Sequence, residues 1–514
     1  MKTIRTALYL IIVLSASVAK AQLTPLKNIQ SPEIANLGLY GIIPVSHYTG
    51  IPEISVPLYD INVGDYSMPL SANYHLAAVK PDMQPGCLGM GWSLMAGGYI
   101  TRTVRCICDE MCGSNNIGHG FYYHATKMKN ISNSTFDQMT KTKLRGNDYF
   151  ELTADEFSFS FCGYSGTFYY NEDGGWTVIS DDDIKVEFDP TLGNGFIDLK
   201  TLETRFKTTG WNTRSDYNRF FNKFTLVTPD GCRYEFGGLD ATEFSTPYYA
   251  RATNGLTATT WRLKRITTVD KHVIEFKYDT SSIMCDLRYM PLYRKLYNVS
   301  QVPSDPLIKG RQAFTGFLLF PANLVSITTP NETLTFSYNK ENNYGDRFFQ
   351  TVYALYWKNS GFTRPSPYSS NIEDPALQFL VFINVGQQSS ENATRQAIAN
   401  KLTHCILDKI TIKGRYSDTS GYVYFGYSGG NHEERLKLAS VAFSADQPRL
   451  AGNGDKQYGT GMSDDMPVYK FRYNKNKERN GANIMPYRYS MAYTDSWGYC
   501  HGGEVTLSAT PSFS

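Results

Sequence analysis

The chain has 514 residues, and its 50 Lys and Arg stand against 48 Asp and Glu, a formal net charge of +2. So even a balance gives no electrostatic reason to seek nucleic acid or an anionic membrane, since both partners demand a basic face. Aromatic residues make up 14% (37 Tyr and 29 Phe), charged residues only 19%, and Gly numbers 42, a composition of many short strands with tight turns and few helices.

The first 21 residues read as a secretory signal peptide. Lys2 and Arg5 form a positive start, Ala7 to Ala16 is mostly apolar, and Ala19-Lys20-Ala21 places small residues where a signal peptidase cuts, before Gln22. The apolar run is shorter than the roughly 20 residues of a membrane span. No cysteine follows it as a lipid acceptor, so soluble export to the periplasm, cell surface or medium is expected. Losing Lys2, Arg5 and Lys20 takes the basic count from 50 to 47 against 48 acidic residues, a formal charge of −1. No later segment has the length of a membrane span.

Residues 22–105 form an N-terminal β region. Ile51 to Tyr59 alternates apolar and polar residues with Pro52 and Pro57 at its edges, and Met68 to His75 alternates again after the turn Asn62 to Asp65. Cys87-Leu-Gly-Met-Gly-Trp-Ser-Leu94 is Gly-rich around one Trp and leads through Gly97-Gly98 into Tyr99 to Val104. Residues 106–150 are polar and irregular and are expected as a surface insertion. A β-hairpin region follows over 151–262. Phe157-Ser-Phe-Ser-Phe161 is a strict period-2 strand, with all three Phe on one face. Phe224 to Phe236 reads as a hairpin turned by Asp230-Gly231.

Residues 263–514 carry a degenerate repeat: Leu-x-x-Ile/Val, a turn, then Phe-x-Tyr followed by a small polar or acidic residue. The copies are Leu263/Ile266 with Phe276/Tyr278, Leu324/Ile327 with Phe336/Tyr338, Leu407/Ile410 with Phe425/Tyr427, and Leu438/Val441 with Phe471/Tyr473. Each copy is one hairpin unable to bury its aromatic face alone, so neighbours are expected side by side in one sheet. Residues 279–320 and 341–375 show little periodicity and are expected as surface excursions. Glu391 to Leu402 is the best helix candidate, with Ser390 as N-cap.

Nine cysteines lie beyond the leader, an odd number, so at least one is unpaired or bonds another chain. Cys106-x-Cys108-x3-Cys112 reads as a local disulfide before a zinc site completed by His119 or His124, because its spacing is not that of paired CxxC motifs. Gly426-Tyr-Ser428-Gly-Gly430 matches the nucleophile-elbow pattern with His432 and His501 downstream, yet the chain lacks the β/α alternation that elbow needs. Asp181-Asp182-Asp183 lacks the spaced ligands of a calcium loop and reads as a solvated turn. Trp92, Trp176, Trp261, Trp357 and Trp497 suit core packing before a sugar-stacking platform. No catalytic, cofactor-binding or metal-ligating residue is assigned.

Gly41 to Tyr59 (GIIPVSHYTGIPEISVPLY) and Gly89 to Arg102 (GMGWSLMAGGYITR), with Asp155 to Phe159, Thr228 to Gly231 and Ser496 to Tyr499, resemble the N-terminal region of Bacteroidetes RHS/YD-repeat proteins. The resemblance spans about residues 30–502. It stops short of the long repeat array and C-terminal effector of full-length relatives, and Cys106-Ile-Cys108 departs from their Gly and turn residues. It implies an exported, mainly β protein of antiparallel hairpins in curved sheets, acting as a non-catalytic shell segment at the cell envelope. Its implied partners are other RHS-type chains, a protein partner or surface glycans, with no nucleic acid and no cofactor. A carbohydrate-binding envelope protein is the second reading and a secreted hydrolase the third.

Overall fold

The computed structural model describes residues 54–75, 83–105, 107–112, 118–129, 132, 151–207, 218–247, 256–290, 313–341, 403–416, 420–430, 435–444 and 468–473. The segment read as a signal peptide and the helix expected over 391–402 lie outside them. The described chain is mainly β and antiparallel throughout its named ladders.

Strands β1 (Ile54–Val63), β2 (Tyr66–Tyr74) and β3 (Trp92–Met95) form a three-stranded sheet in that order. A larger ladder starts from β4 (Gly98–Thr103), which pairs with β5 (Glu156–Phe161), then β6 (Tyr164–Tyr170) and β7 (Trp176–Ser180). The other edge of β4 meets β14 (Thr257–Thr267), which also pairs β13 (Thr242–Pro247). β13 continues to β17 (Ala313–Phe320) and β16 (Met284–Met290).

The C-terminal half of β14 belongs to a second ladder. On one side stand β12 (Arg233–Gly237), β11 (Lys223–Val227) and β8 (Lys185–Glu187). On the other follow β15 (Val273–Asp279), β18 (Asn323–Thr328), β19 (Glu332–Glu341), β20 (His404–Gly414), β21 (Ser420–Ser428), β22 (Lys437–Ser444) and β23 (Val468–Lys470). Two curved sheets thus share one long strand, and a small pair, β9 (Phe196–Asp198) with β10 (Arg219–Phe221), lies beside them. Phe157, Phe159 and Phe161 are all buried, as their alternation predicts, and join the three-stranded sheet and the repeat strands in one apolar core.

Two elements differ from the expectation. The stretch 279–320 contains the β16–β17 hairpin, and Phe317-Leu-Leu-Phe320 is wholly buried. A continuous apolar run covered on both faces has no period-2 signature, which hid this strand. Leu199–Lys207 is a helix that the sequence reading passed over. Its signals are short: Asp198 Oδ1 accepts from Thr201 N at 2.8 Å, and Leu202 and Phe206, one turn apart, are fully buried.

The repeat is realised as one ladder with a constant register. Ile266 faces Ile274, Ile327 faces Leu334, Ile410 faces Val423, and Val441 faces Tyr469. Between copies, Phe276 faces Ile327, Phe336 faces Ile410, and Phe425 faces Val441. The drift in spacing therefore lies beyond the Ile or Val, while the pairing around the apolar positions is the same in every copy.

An Leu-x-x-Ile spacing should send its two apolar side chains to opposite faces of a regular strand. Both are buried in every copy, with two half-exposed residues between them. The reason is a β-bulge. Register skips Lys264 between Leu263 and Arg265, Val325 between Leu324 and Ser326, Asp408 between Leu407 and Lys409, and Ala439 between Leu438 and Ser440. One extra residue after each Leu returns the Ile or Val to the core face.

The bulge interrupts the ladder beside the Leu, and the Tyr of the same copy donates its hydroxyl to that Leu carbonyl. Tyr278 reaches Leu263 O at 2.6 Å, Tyr338 reaches Leu324 O at 2.9 Å, Tyr427 reaches Leu407 O at 2.5 Å, and Tyr473 reaches Leu438 O at 2.6 Å. Tyr338→Phe keeps the ring and removes only this donor. Chemical denaturation should show a loss of about 1 kcal/mol, the usual net worth of such a bond. An unchanged stability would mean the hydroxyl contributes nothing to the repeat.

Candidate functional site

Residues 86–92 lie across the Leu ends of the last two copies. Cys87 O accepts from Leu407 N at 3.0 Å and from the Tyr427 hydroxyl at 3.3 Å, and Met90 N donates to Leu436 O at 2.8 Å. Trp92 Nε1 donates to the Tyr473 hydroxyl at 2.8 Å, and its ring lies 4.5 Å from Phe471 and 5.3 Å from Tyr74. Gly89 sits at φ +89°, and a Cβ there would stand 2.9 Å from Leu436 O. The Gly-rich motif around Trp92 is thus a clasp that ties the N-terminal sheet to the third and fourth copies. Gly89→Ala should lower stability by about 2 kcal/mol or more in urea titration, since it meets both left-handed strain and a fixed carbonyl.

The second candidate site is a buried cluster of charges under β4. Arg102 is 0% exposed. Its Nη1 donates to Glu110 Oε2 at 2.6 Å, and its Nε and Nη2 donate to Ala258 O at 3.1 and 2.6 Å. The guanidinium also lies over the rings of Trp261 and Phe157, at 5.3 and 5.8 Å from their centroids. Asp155 Oδ2 is 3.7 Å from Nη1. Asp155 and Asp109 clamp each other: Asp109 N donates to Asp155 Oδ2 at 3.1 Å, and Asp155 N to Asp109 Oδ1 at 3.0 Å. Arg105 N adds a bond to Asp155 Oδ1 at 3.0 Å, and Phe221 N donates to Glu110 Oε1 at 3.3 Å.

Burial dominates the titration of these groups. It pushes the Asp155 carboxyl up to about 7, against the pull of Arg102 and with a further push from Glu110. Burial and the neighbouring Asp155 raise Asp109 well above the usual carboxylate range. Burial also raises the Cys108 thiol, although Arg102 works the other way. A buried thiol held protonated is a poor nucleophile.

Cys108, Glu110 and Asp155 bring one ligand atom each within 4.8 Å of the others. The Arg102 guanidinium already serves this group as its cation, and both oxygens of Glu110 and of Asp155 accept hydrogen bonds, so the trio is built as an ion-pair network. Cys108 and Cys112 carry no disulfide, and Cys106 lies outside the described residues. The stretch expected as a surface insertion is, over Cys108 to Cys112, buried. Its polar composition misled because the buried charges are held by residues distant in sequence, Glu110 by Arg102 and Phe221 N and Asp109 by Asp155 N.

The other sequence candidates fall differently. Ser428 ends β21 and pairs with Lys437, its neighbour Tyr427 is used by the repeat, and His432 and His501 lie outside the described residues. Asp181, Asp182 and Asp183 are exposed. Trp92 and Trp261 are core residues and Trp176 is half-buried, while Trp357 and Trp497 lie outside the described residues. Among the described residues no helix is long and apolar enough to cross a membrane. The buried cluster escaped the sequence reading because Arg102, Asp109, Glu110 and Asp155 form no motif. The one hint was a run of charge, Asp109-Glu110, beside cysteines.

No family profile matches the chain, and no curated protein matches it in sequence. Solved structures do. The N-terminal domain of the effector protein SpvB from Salmonella typhimurium strain LT2 is 11% identical with a TM-score of 0.30, over 77% of this chain and 99% of that one. TcdB2-TccC3 is 11% identical with a TM-score of 0.33, over 83% of this chain and 16% of that one. The Tc holotoxin pore of Photorhabdus luminescens is 11% identical with a TM-score of 0.33, over 77% of this chain and 15% of that one. The chain therefore spans about a sixth of the length of the TcdB2-TccC3 chain it matches.

Arg102→Leu would leave Glu110 and the Ala258 carbonyl buried without their donor. A loss of about 3–5 kcal/mol is expected in thermal or urea unfolding. A loss below about 1 kcal/mol would mean the network is not closed as described.

Proposed function

We propose that this chain is an exported, non-catalytic structural and interaction protein, an RHS-like shell segment at the cell envelope or surface of a bacterium. The observation that carries this reading is the ladder of four equivalent hairpins, each bulged after its Leu and each pinned by its own Tyr hydroxyl. A unit repeated in register, strand beside strand, extends a wall. Its aromatic residues go to the interior, where Phe276, Phe336 and Phe425 are buried. The sequence resemblance to RHS/YD-repeat proteins and the leader over residues 1–21 support the exported shell reading. Its partners are then other RHS-type chains or another protein of the envelope.

Limited proteolysis with mass spectrometry on residues 22–514 tests the reading. One resistant core reaching from the three-stranded sheet through the fourth copy is expected, because the Trp92 clasp joins the two ends. Early cleavage between β3 and β20, releasing the repeats as separate fragments, would contradict a continuous wall.

A further inference from the structure

Among the described residues, the cluster under β4 has an unbalanced charge. Three carboxyl groups, Asp109, Glu110 and Asp155, are at most 1% exposed, and Arg102 is the one guanidinium at 0% exposure among them. Arg102 and Glu110 form the close ion pair at 2.6 Å. Asp155 stands farther from the same Arg102 Nη1, at 3.7 Å, and Asp109 and Asp155 hold each other through their backbone N–H groups. Asp109 Oδ2 is buried and has no hydrogen-bond partner among the described residues. A bare carboxylate oxygen buried in that state is costly, whereas a carboxyl oxygen that carries a proton is neutral.

The groups around the pair come from several elements, among them the turn at 120–123, where Tyr122 N donates to Asp109 O at 3.1 Å and the Tyr123 hydroxyl to Glu110 O at 3.4 Å. Arg102 arrives from β4. Cys108 and Glu110 lie on the strap, and Thr257 of β14 stands 3.9 Å from the Cys108 sulfur. Glu151 accepts from Ile107 N at 3.3 Å, and Arg105 pairs with Glu156 at 2.7 Å at the exposed rim. From β10 comes the Phe221 backbone N–H, which serves Glu110. Each of the two clamping bonds joins the strap to the residue before β5, so the pair is one fastening of residues 107–112 beside those that Glu110 makes.

We propose that Asp109 and Asp155 form a proton-operated latch: holding a proton, the pair fastens residues 107–112 into the core, and losing it, the pair releases them. On release, the proton goes to solvent base and leaves two carboxylates, 46 residues apart in the chain, each held by the other residue's backbone N–H. Repulsion between them then opposes closure, since Arg102 lies nearer Glu110 (2.6 Å) than Asp155 (3.7 Å) and one guanidinium cannot balance three carboxylates.

The sign of the pH dependence follows from the raised carboxyls. In the folded state Asp155 titrates at about 7 and Asp109 also lies well above the usual range, whereas an unfolded Asp loses its proton near 4. Fastening therefore takes up protons. It is strongest below about pH 4 and weakens as pH rises through 7. Each proton involved changes the opening equilibrium about tenfold per pH unit within that window.

Hydrogen exchange with mass spectrometry on the full chain tests the latch between pH 5 and 8. The readout is the protection of peptides covering 105–112 and 151–156, corrected for the intrinsic rate, with the β19 peptide 332–341 as reference. Loss of protection by about tenfold per pH unit up to pH 7 is expected at the latch and not at β19. Asp109→Asn combined with Asp155→Asn, which removes both titrating carboxyls, should flatten the profile and protect the strap at pH 8. A corrected wild-type profile that is flat would overturn the latch, and so would an Asn variant keeping the wild-type slope. If that variant fails to fold, the wild-type profile decides alone.

Discussion

The constraint on which this structure turns is one extra residue in a strand. A Leu and an Ile three positions apart cannot share a face of a regular strand, yet all four repeat copies bury both. The bulged residue after each Leu resolves the conflict, and the Tyr hydroxyl from the same hairpin serves the Leu carbonyl at the interruption. The same device appears outside the repeat. In β1 the register skips Leu58, so that Val56 and Leu58 share the core with Ile61 and Val63. Bulges also sharpen the local twist, so a bulge recurring once per hairpin curves the sheet in a regular way.

The two candidate sites follow from this arrangement. Carbonyls and hydroxyls gathered at the Leu ends of the third and fourth copies make a polar seam, and the Gly-rich clasp fits there because Gly89 has no side chain to meet Leu436. The shared strand β14 divides two sheets, and the crossing leaves the Ala258 carbonyl for Arg102. Arg102 in turn draws Glu110 and the Asp pair inward. Aromatic packing and buried charge are therefore consequences of one crossing of two ladders rather than separate features.

Much of this was legible in the sequence where a residue's signal is local. The alternation in Phe157 to Phe161 named its buried face, and the copies of Leu-x-x-Ile with Phe-x-Tyr named the hairpins that pair. What lay beyond reach depends on partners distant in sequence. Nothing near Arg102 indicates that Ala258, 156 residues away, will accept its hydrogen bonds. The run Phe317 to Phe320 carries no period because both its faces are covered, and Leu199 to Lys207 offers only two apolar contacts to mark a helix. The clasp was visible as a motif, but its role was not, since glycines reveal close approach only when the approaching backbone is known.

The account's central claim is that the residue after Leu is surplus to the strand's alternation. Two single-residue deletions in the second copy compare it with an ordinary position. Deleting Val325 leaves Leu324 and Ile327 two apart, still on one face of a regular strand. Deleting Ser337 brings Phe336 and Tyr338 together and throws one of them to the wrong face. Urea unfolding of both variants should find the Val325 deletion folded, with a loss of a few kcal/mol at most, and the Ser337 deletion unfolded. Equal losses, or the reverse order, would contradict the bulge as the rule that organises the repeat.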